Sequence, residues 1–458
     1  METKVDSLII GAGLSGLSAG VRLSQFQDKV VILESHNISG GLSSYYIRKT
    51  KNEQMLFNSG LHTVTNYKVQ NRKWGIGLIC RNLGITREEL NLYPAKYPSR
   101  IKSASGQLFF SNDESTLEDS ILSLSKDSID DFIAFVKFTQ QKGKEFEWAN
   151  LNCWDVLHSQ FRSKRIIDLL SIPVFYYAGY KKEFIDFLTY SIIFRSIYLD
   201  GCCSPDSIKN VLFLLMKKFG SNGGVIKFNT KIEKLIAFKD KIVEVITSDG
   251  DTIVADAILS SVGINETKEL LSENSSEISN ISLFETVICY DNSILETGIK
   301  NTLSFNYDRE SFVWNMPRLH ERSPYYSMSF LYNYSFPKDP PLQIKICTFQ
   351  SGDDWNNLAE DDYILTKDKY TSYLKNYLYN EYPSLIEANQ IYTDSFSPKT
   401  INRFTSHING AIYGSKAKSF SGKTGYSNLF IIGNDQGGIG IMGALISGII
   451  VSNYNVIL

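Results

Sequence analysis

The feature that most constrains this chain is its opening run, Asp6-Ser-Leu-Ile-Ile-Gly11-Ala12-Gly13-Leu14-Ser15-Gly16, in which a short apolar segment runs straight into three glycines. A helical pattern follows, and then a second apolar run, Val30 to Leu33, that ends at Glu34 and Ser35. At this spacing Gly11 permits the tight turn, Gly13 lets the backbone approach a pyrophosphate, and Gly16 lets the helix pack on the strand with its N-terminal N–H groups facing the anion. Glu34 stands where a carboxylate accepts hydrogen bonds from a ribose, which disfavours a 2′-phosphate and hence NADP at this site. Glycine-rich turns also serve ordinary strand-to-helix connections. Strand, helix, second strand and terminal acid together go beyond that explanation and predict a dinucleotide-binding unit.

At 458 residues the chain exceeds what one core usually serves. Short apolar runs at Ser7 to Ile10, Val30 to Leu33, Lys241 to Thr247, Thr252 to Leu259 and Asn428 to Ile432 read as strands. They lie far apart, so one sheet is expected to be assembled from separated segments. The predicted architecture is α/β: a discontinuous Rossmann-like domain from residues 1–100, 205–265 and 400–458, with a mixed α+β substrate lobe, residues 101–204 and 266–399, inserted into it.

Net charge is −2 with 21% charged residues, so no general field exists to attract nucleic acid. Six cysteines without CxxC spacing predict neither zinc nor a disulfide framework but buried, reduced thiols, and no metal is expected. The charged start, Met1 to Asp6, leaves no room for a signal peptide's apolar core, which predicts a cytoplasmic location. No segment comes near the roughly 18 consecutive apolar residues of a membrane span. Phe184 to Leu199 is apolar around a lone Arg195 and reads as a core helix, with peripheral membrane contact as the other reading.

Gly40-Gly41, together with the tail Asn428-Leu-Phe-Ile-Ile-Gly433-Asn-Asp435-Gln-Gly-Gly-Ile-Gly440-Ile441-Met442-Gly443, resembles the flavin amine oxidase and phytoene desaturase superfamily. That resemblance implies FAD as the cofactor, with Asp435 near its ribityl and phosphate region and Gly440 to Met442 near its ring. Leu56-Phe-Asn-Ser-Gly60-Leu61-His62 and Ser397-Pro-Lys-Thr400 to Gly414 are similar to segments of carotenoid desaturases, carotenoid isomerases and retinol saturase. A middle stretch, Gly223 to Ile232, also resembles the superfamily, and Ile232 is implied to meet the adenine through its backbone. Two positions depart from the pattern. Leu42 replaces a frequent Arg, so that one phosphate contact passes to Ser43 or Ser44 or is lost, and Asn58 replaces the usual acid.

His62 is the titratable residue most readily placed beside a flavin, where an imidazole could orient substrate or exchange a proton near neutral pH. It could equally hydrogen-bond backbone or cofactor. An aromatic block, Phe175, Tyr176, Tyr177, Tyr180, Phe184, Phe187, Tyr190, Phe194 and Tyr198, is either core or the lining of an apolar tunnel. The solvated pair Lys181-Lys182 lies beside it.

The implied activity is desaturase-like dehydrogenation of a small apolar isoprenoid or polyene by hydride transfer to flavin N5. Oxygen, a quinone or another acceptor would then reoxidise the flavin. Three alternatives stay open: an amine or amino-acid oxidase, a non-redox polyene cis–trans isomerase using reduced FAD, and a flavin-free lipid- or prenyl-binding protein, against which Glu34 and Asp435 argue.

Overall fold

A computed structural model of the chain describes residues 2–49, 54–60, 62–68, 75–178 and 185–458. Leu61, Tyr180, Lys181, Lys182 and Phe184, singled out above, lie outside the described residues.

The chain opens with β1 (Glu2–Ile10), α1 (Leu14–Leu23) and β2 (Val30–Leu33), then forms a hairpin of β3 (Tyr45–Lys49) and β4 (Gln54–Asn58). After α2 (Gly75–Leu83) come β5 (Leu92–Pro94), β6 (Ser99–Ser103) and β7 (Gly106–Phe110). A helical lobe follows: α3 (Ser115–Leu124), α4 (Ile129–Thr139), α5 (Glu145–Trp148), α6 (Cys153–Gln160), α7 (Lys164–Ala178) and α8 (Phe187–Tyr198). Next are β8 (Cys203–Pro205), α9 (Ile208–Ser221), β9 (Val225–Lys227), β10 (Ile232–Phe238), β11 (Lys241–Thr247), β12 (Thr252–Ser260) and α10 (Ile264–Leu270). Strands β13 (Ile281–Tyr290), β14 (Leu303–Tyr307), β15 (Tyr325–Phe330) and β16 (Gln343–Ser351) lead to α11 (Gly352–Asn356), α12 (Glu360–Glu381) and β17 (Gln390–Phe396). The chain finishes with α13 (Pro398–Thr405), β18 (Leu429–Ile431) and α14 (Gly440–Ser452).

Two seven-stranded sheets organise these elements. The first runs β10-β11-β12-β1-β2-β9, with β18 on the far end of β12. Its β12, β1, β2, β9 and β18 pair in parallel. A parallel strand is covered on both faces and so must be apolar on both. Ile9, Ile32 and Leu259 accordingly pack among α1, α9 and α14, while Leu8, Ile10 and Leu33 face a second cluster with Ile232 and Val245. The expected strands appear within a residue or two at most ends; β1 is longer than Ser7 to Ile10 because its polar start, Glu2 to Asp6, still pairs with β12 or follows it in register.

The second sheet runs β17-β13-β16-β15-β14-β6-β7. The even positions Phe284, Ile288, Met328, Phe330, Ile344 and Ile346 point into one core with Trp355 and α12. By the period of two, Glu285, Val287, Ser327, Ser329, Lys345 and Cys347 share the opposite face. Of the aromatic block, Phe175, Tyr176, Phe187, Tyr190, Phe194 and Tyr198 are core of the helical lobe, and Tyr177 packs against it.

One expectation needs correcting. Gly440–Ile457, which includes α14, is 18 residues long with mean hydropathy 1.5, so by length and composition it could cross a membrane. Glycine and serine interrupt the apolar run without lowering its average much. Here α14 packs along α1, and Leu445, Ile449 and Val451 are buried in the core of the first sheet.

Candidate active site

The turn between β1 and α1 has the geometry its glycines predict. Gly11 sits at φ +94°, and a Cβ on Gly16 would stand 2.0 Å from the Gly11 carbonyl oxygen, so neither position tolerates a side chain. α1 begins at Leu14 behind Gly13 with no side-chain cap and no acid in its first turn. The Gly40-Gly41 turn lies beside it: a Gly13 Cβ would meet Gly40 O at 3.9 Å, and a Gly41 Cβ would meet Gly13 Cα at 3.7 Å, both ordinary contacts. An uncapped helix N-terminus beside two bare glycines is a cradle for a pyrophosphate. The expected FAD fits it.

Glu34 is buried at the end of β2. Its carboxylate accepts the Ala12 N–H at 2.7 Å and the His36 N–H at 2.9 Å, with the Ser35 hydroxyl at 3.3 Å. Asn229 and Thr230 donate their N–H groups to the His36 and Glu34 carbonyls, which brings the start of β10 at Ile232 beside Glu34. The residues expected at the adenosine end are therefore together.

The second glycine pair is also close-packed. Gly40 donates to the Ala12 carbonyl at 2.9 Å, and Gly41, Leu42 and Ser43 form a single 3-10 turn. A Cβ on Gly60 would lie 2.3 Å from the Leu42 carbonyl oxygen. At the C-terminal end, Gly433 abuts Ser15, its Cβ position 3.0 Å from Ser15 Oγ, so the turn before α14 sits at the first turn of α1. Gly440 opens α14 at φ +70°, also uncapped, with nothing within 4 Å of its Cβ position. Ile441 is half-buried and Met442 is buried.

Asp435 has work within the chain. Its carboxylate accepts the Ile264 and Ser415 N–H groups at 2.6 Å each and pairs with Lys418 Nζ at 3.3 Å. It thereby ties the tail to the loops at Gly263 and Gly414. Burial lowers the Lys418 ammonium from its ordinary value, and Asp435 opposes that. Asn58 has an equally definite place: its Oδ1 accepts Ser207 Oγ and the Ile208 N–H at 3.1 Å, capping α9.

His62 joins a buried polar cluster on the second sheet. Its Nδ1 is 2.7 Å from Ser329 Oγ and its Nε2 is 2.8 Å from Glu285 Oε2. Glu285 Oε1 is 3.3 Å from the ammonium of Lys345, which is fully buried and also donates to the Asn58 carbonyl. Burial alone would raise the Glu285 carboxyl, but Lys345 and His62 outweigh it and hold it down at about 2. Cys347 lies alongside, within hydrogen-bond reach of Tyr176 Oη at 2.7 Å and Ser327 Oγ at 3.1 Å, and burial pushes its thiol up to about 12.

The donors of His62, Glu285 and Cys347 lie within 4.8 Å of one another, a spacing that a cation could bridge. A protonated thiol and a carboxylate already neutralised by Lys345 are poor ligands, so the cluster reads as a proton network.

Glu285, Ser329, Lys345 and Cys347 were not picked out from the sequence. One signal was available: Lys345 and Cys347 alternate with Ile344 and Ile346, putting a charge on the regular face of a buried strand.

Comparison with known proteins bears on the whole chain. A family model described as flavin containing amine oxidoreductase matches residues 183–454, and a NAD(P)-binding Rossmann-like domain matches residues 9–75. No curated protein matches by sequence. Among solved structures, an oxidoreductase from Methanosarcina mazei superposes with TM-score 0.64 at 16% identity, over 99% of this chain and 100% of the other. Putrescine oxidase bound to putrescine gives 0.60 at 12% identity, over 99% of each chain. RAB GDI from Plasmodium falciparum gives 0.52 at 11% identity, over 94% of this chain and 93% of the other. At these identities the structures show the fold alone.

Proposed function

The chain belongs to the family of flavin-containing amine oxidoreductases and is an FAD-dependent oxidoreductase, and from that premise we propose that it dehydrogenates an uncharged, apolar substrate of isoprenoid or polyene type. Bound FAD supplies the hydride acceptor. Gly11, Gly13, Gly16 and Gly41 hold its pyrophosphate through backbone, and Glu34 and the Ile232 segment receive the adenosine end.

The observation that carries the substrate class is the state of Glu285. An amine arrives as an ammonium ion and needs an acceptor with negative charge to spare. Within the His62 cluster the carboxylate is already paired by Lys345 at 3.3 Å and His62 at 2.8 Å. Beside it stand rings: Tyr176 meets Phe349 at 5.1 Å and Phe305 at 5.6 Å, and Tyr177 meets Phe305 at 6.1 Å. These rings belong to the buried core of the helical lobe, so the surroundings of the cluster are apolar, as an apolar substrate oriented by few polar groups requires. The likeness of the 56–62 and 397–414 segments to carotenoid enzymes supports the same reading. An apolar substrate also makes peripheral contact with a membrane, and a quinone as electron acceptor, natural parts of this proposal.

The family description and the fold shared with putrescine oxidase favour a second reading, oxidation of an amine. Anaerobic mixing of the purified flavoprotein with a long polyene in detergent, or with putrescine, separates the two by the bleaching of the flavin band. The proposal expects the polyene to bleach it and to yield a product two hydrogens lighter. Bleaching by the amine alone would establish the second reading. An isomer of unchanged mass, formed only with reduced flavin, would establish cis–trans isomerisation instead.

A further inference from the structure

Glu285 settles the direction of the hydrogen bond at His62 Nε2. A carboxylate held near 2 carries no proton at working pH, so the 2.8 Å contact must be donated by His62 Nε2–H. In a neutral imidazole the other nitrogen is then bare. With the imidazole neutral, as a proton acceptor must be, the 2.7 Å contact at Nδ1 is donated by the Ser329 hydroxyl. The result is a directed chain, Ser329 O–H to His62 Nδ1, His62 Nε2–H to Glu285, and Lys345 ammonium to Glu285.

We propose that these four side chains form a proton-accepting relay in which Ser329 and His62 receive a proton from the substrate while Glu285 and Lys345 position them. Dehydrogenation removes a hydride and a proton. A bound FAD would supply the hydride acceptor, and the neighbouring C–H bond would give its proton to Ser329 Oγ as that hydroxyl passes its own to His62 Nδ1. The electron pair of the broken C–H bond closes the new double bond. His62 becomes an imidazolium stabilised by Glu285.

Lys345 matters because it is fully buried and is the cation paired with Glu285; without it the carboxylate would face His62 with its charge uncompensated. The lone anion would draw a proton onto the imidazole in the resting state and block the relay.

The groups around His62 bear this out. Tyr334 donates to its carbonyl at 2.9 Å, Tyr176 and Cys347 approach from α7 and β16, Cys203 from β8, and Tyr46 of β3 lies near Glu285. Burial raises all five, so none contributes charge. His62, Glu285 and Lys345 are the groups whose charges set the balance.

The inference rests on the proposed function only for the origin of the proton, and its test needs no substrate. The full chain contains five histidines, so histidine labelled with 13C and 15N gives few enough resonances for His62→Gln to identify the signal. The wild-type protein is expected to show His62 as the Nε2–H tautomer. Lys345→Met should raise its titration midpoint by about one unit or more, Glu285→Gln should lower it by a similar amount, and Lys345→Arg should leave it near wild type.

An Nδ1–H tautomer in the wild type, or equal midpoints in Lys345→Met and Glu285→Gln, would overturn the relay. If Lys345→Met does not fold, the wild-type tautomer and the Glu285→Gln midpoint decide. Failure of a polyene to bleach the flavin would sink the substrate assignment without moving these titrations.

Discussion

A lysine with no exposed surface is costly unless an anion and further hydrogen bonds meet it, and Lys345 has both in Glu285 and the Asn58 carbonyl. Breaking such a pair by removing one partner costs about 3–5 kcal/mol. The pair also predicts an acid response. The Glu285 carboxyl lies at about 2, below its ordinary 4.5, so its contribution to stability is present above that ordinary value and is lost as pH falls toward 2. A shift of that size corresponds to on the order of 3 kcal/mol. Urea unfolding at pH about 6 and about 3 should show a smaller acid loss in Lys345→Met than in wild type; equal losses would contradict the pairing. Gly16 gives a second test at this scale. Gly16→Ala puts a methyl 2.0 Å from the Gly11 carbonyl oxygen and should lower the thermal midpoint and the bound FAD together. The role of Gly16 was legible in the sequence because spacing alone determines it. The roles of Glu285 and Lys345 were not, because 60 positions separate two residues that only the pairing of β13 with β16 brings together.

Among the elements, the crossing of α1 with α14 does most to shape the cofactor cradle. A Cβ on Gly448 would lie 2.2 Å from Ser18 Oγ and 2.3 Å from the Ser15 carbonyl oxygen, so the helices meet backbone to backbone. Gly448→Leu should force them apart, displace the Gly433 turn from Ser15, and lose FAD along with several kcal/mol of stability. Gly220→Ala is the control. Gly220 lies in α9 with nothing within 4 Å of its Cβ position, and the change should stabilise by about 0.5–1 kcal/mol with FAD content unchanged. Thermal melts and the 450 nm absorbance of both variants check the pair. The parallel strands β1, β2, β12 and β18 could be read from sequence because strands buried on both faces are short apolar runs, and antiparallel β11 was legible from its Ile and Val residues. β13 to β16 escaped notice as a functional surface because they too are buried over almost their whole length, with serine, lysine and cysteine scattered on one face.

For the whole molecule, the first sheet supplies the nucleotide cradle and the second supplies the polar cluster. The β4 strand joins them through two side chains of β16: Gln343 donates to the Leu56 carbonyl at 2.8 Å and Lys345 to that of Asn58. His62 lies four residues beyond Asn58, the end of that strand, so the stretch of chain that meets β16 is close in sequence to the imidazole. Cofactor binding should therefore stabilise the assembly as one unit, and added FAD should raise the thermal midpoint of stripped protein in proportion to the logarithm of its concentration. The most direct test of the central claim is the visible spectrum of the purified chain before and after denaturation, with mass analysis of what is released. A yellow protein that yields one FAD per chain is the predicted result. A colourless protein that takes up no FAD on titration would contradict it.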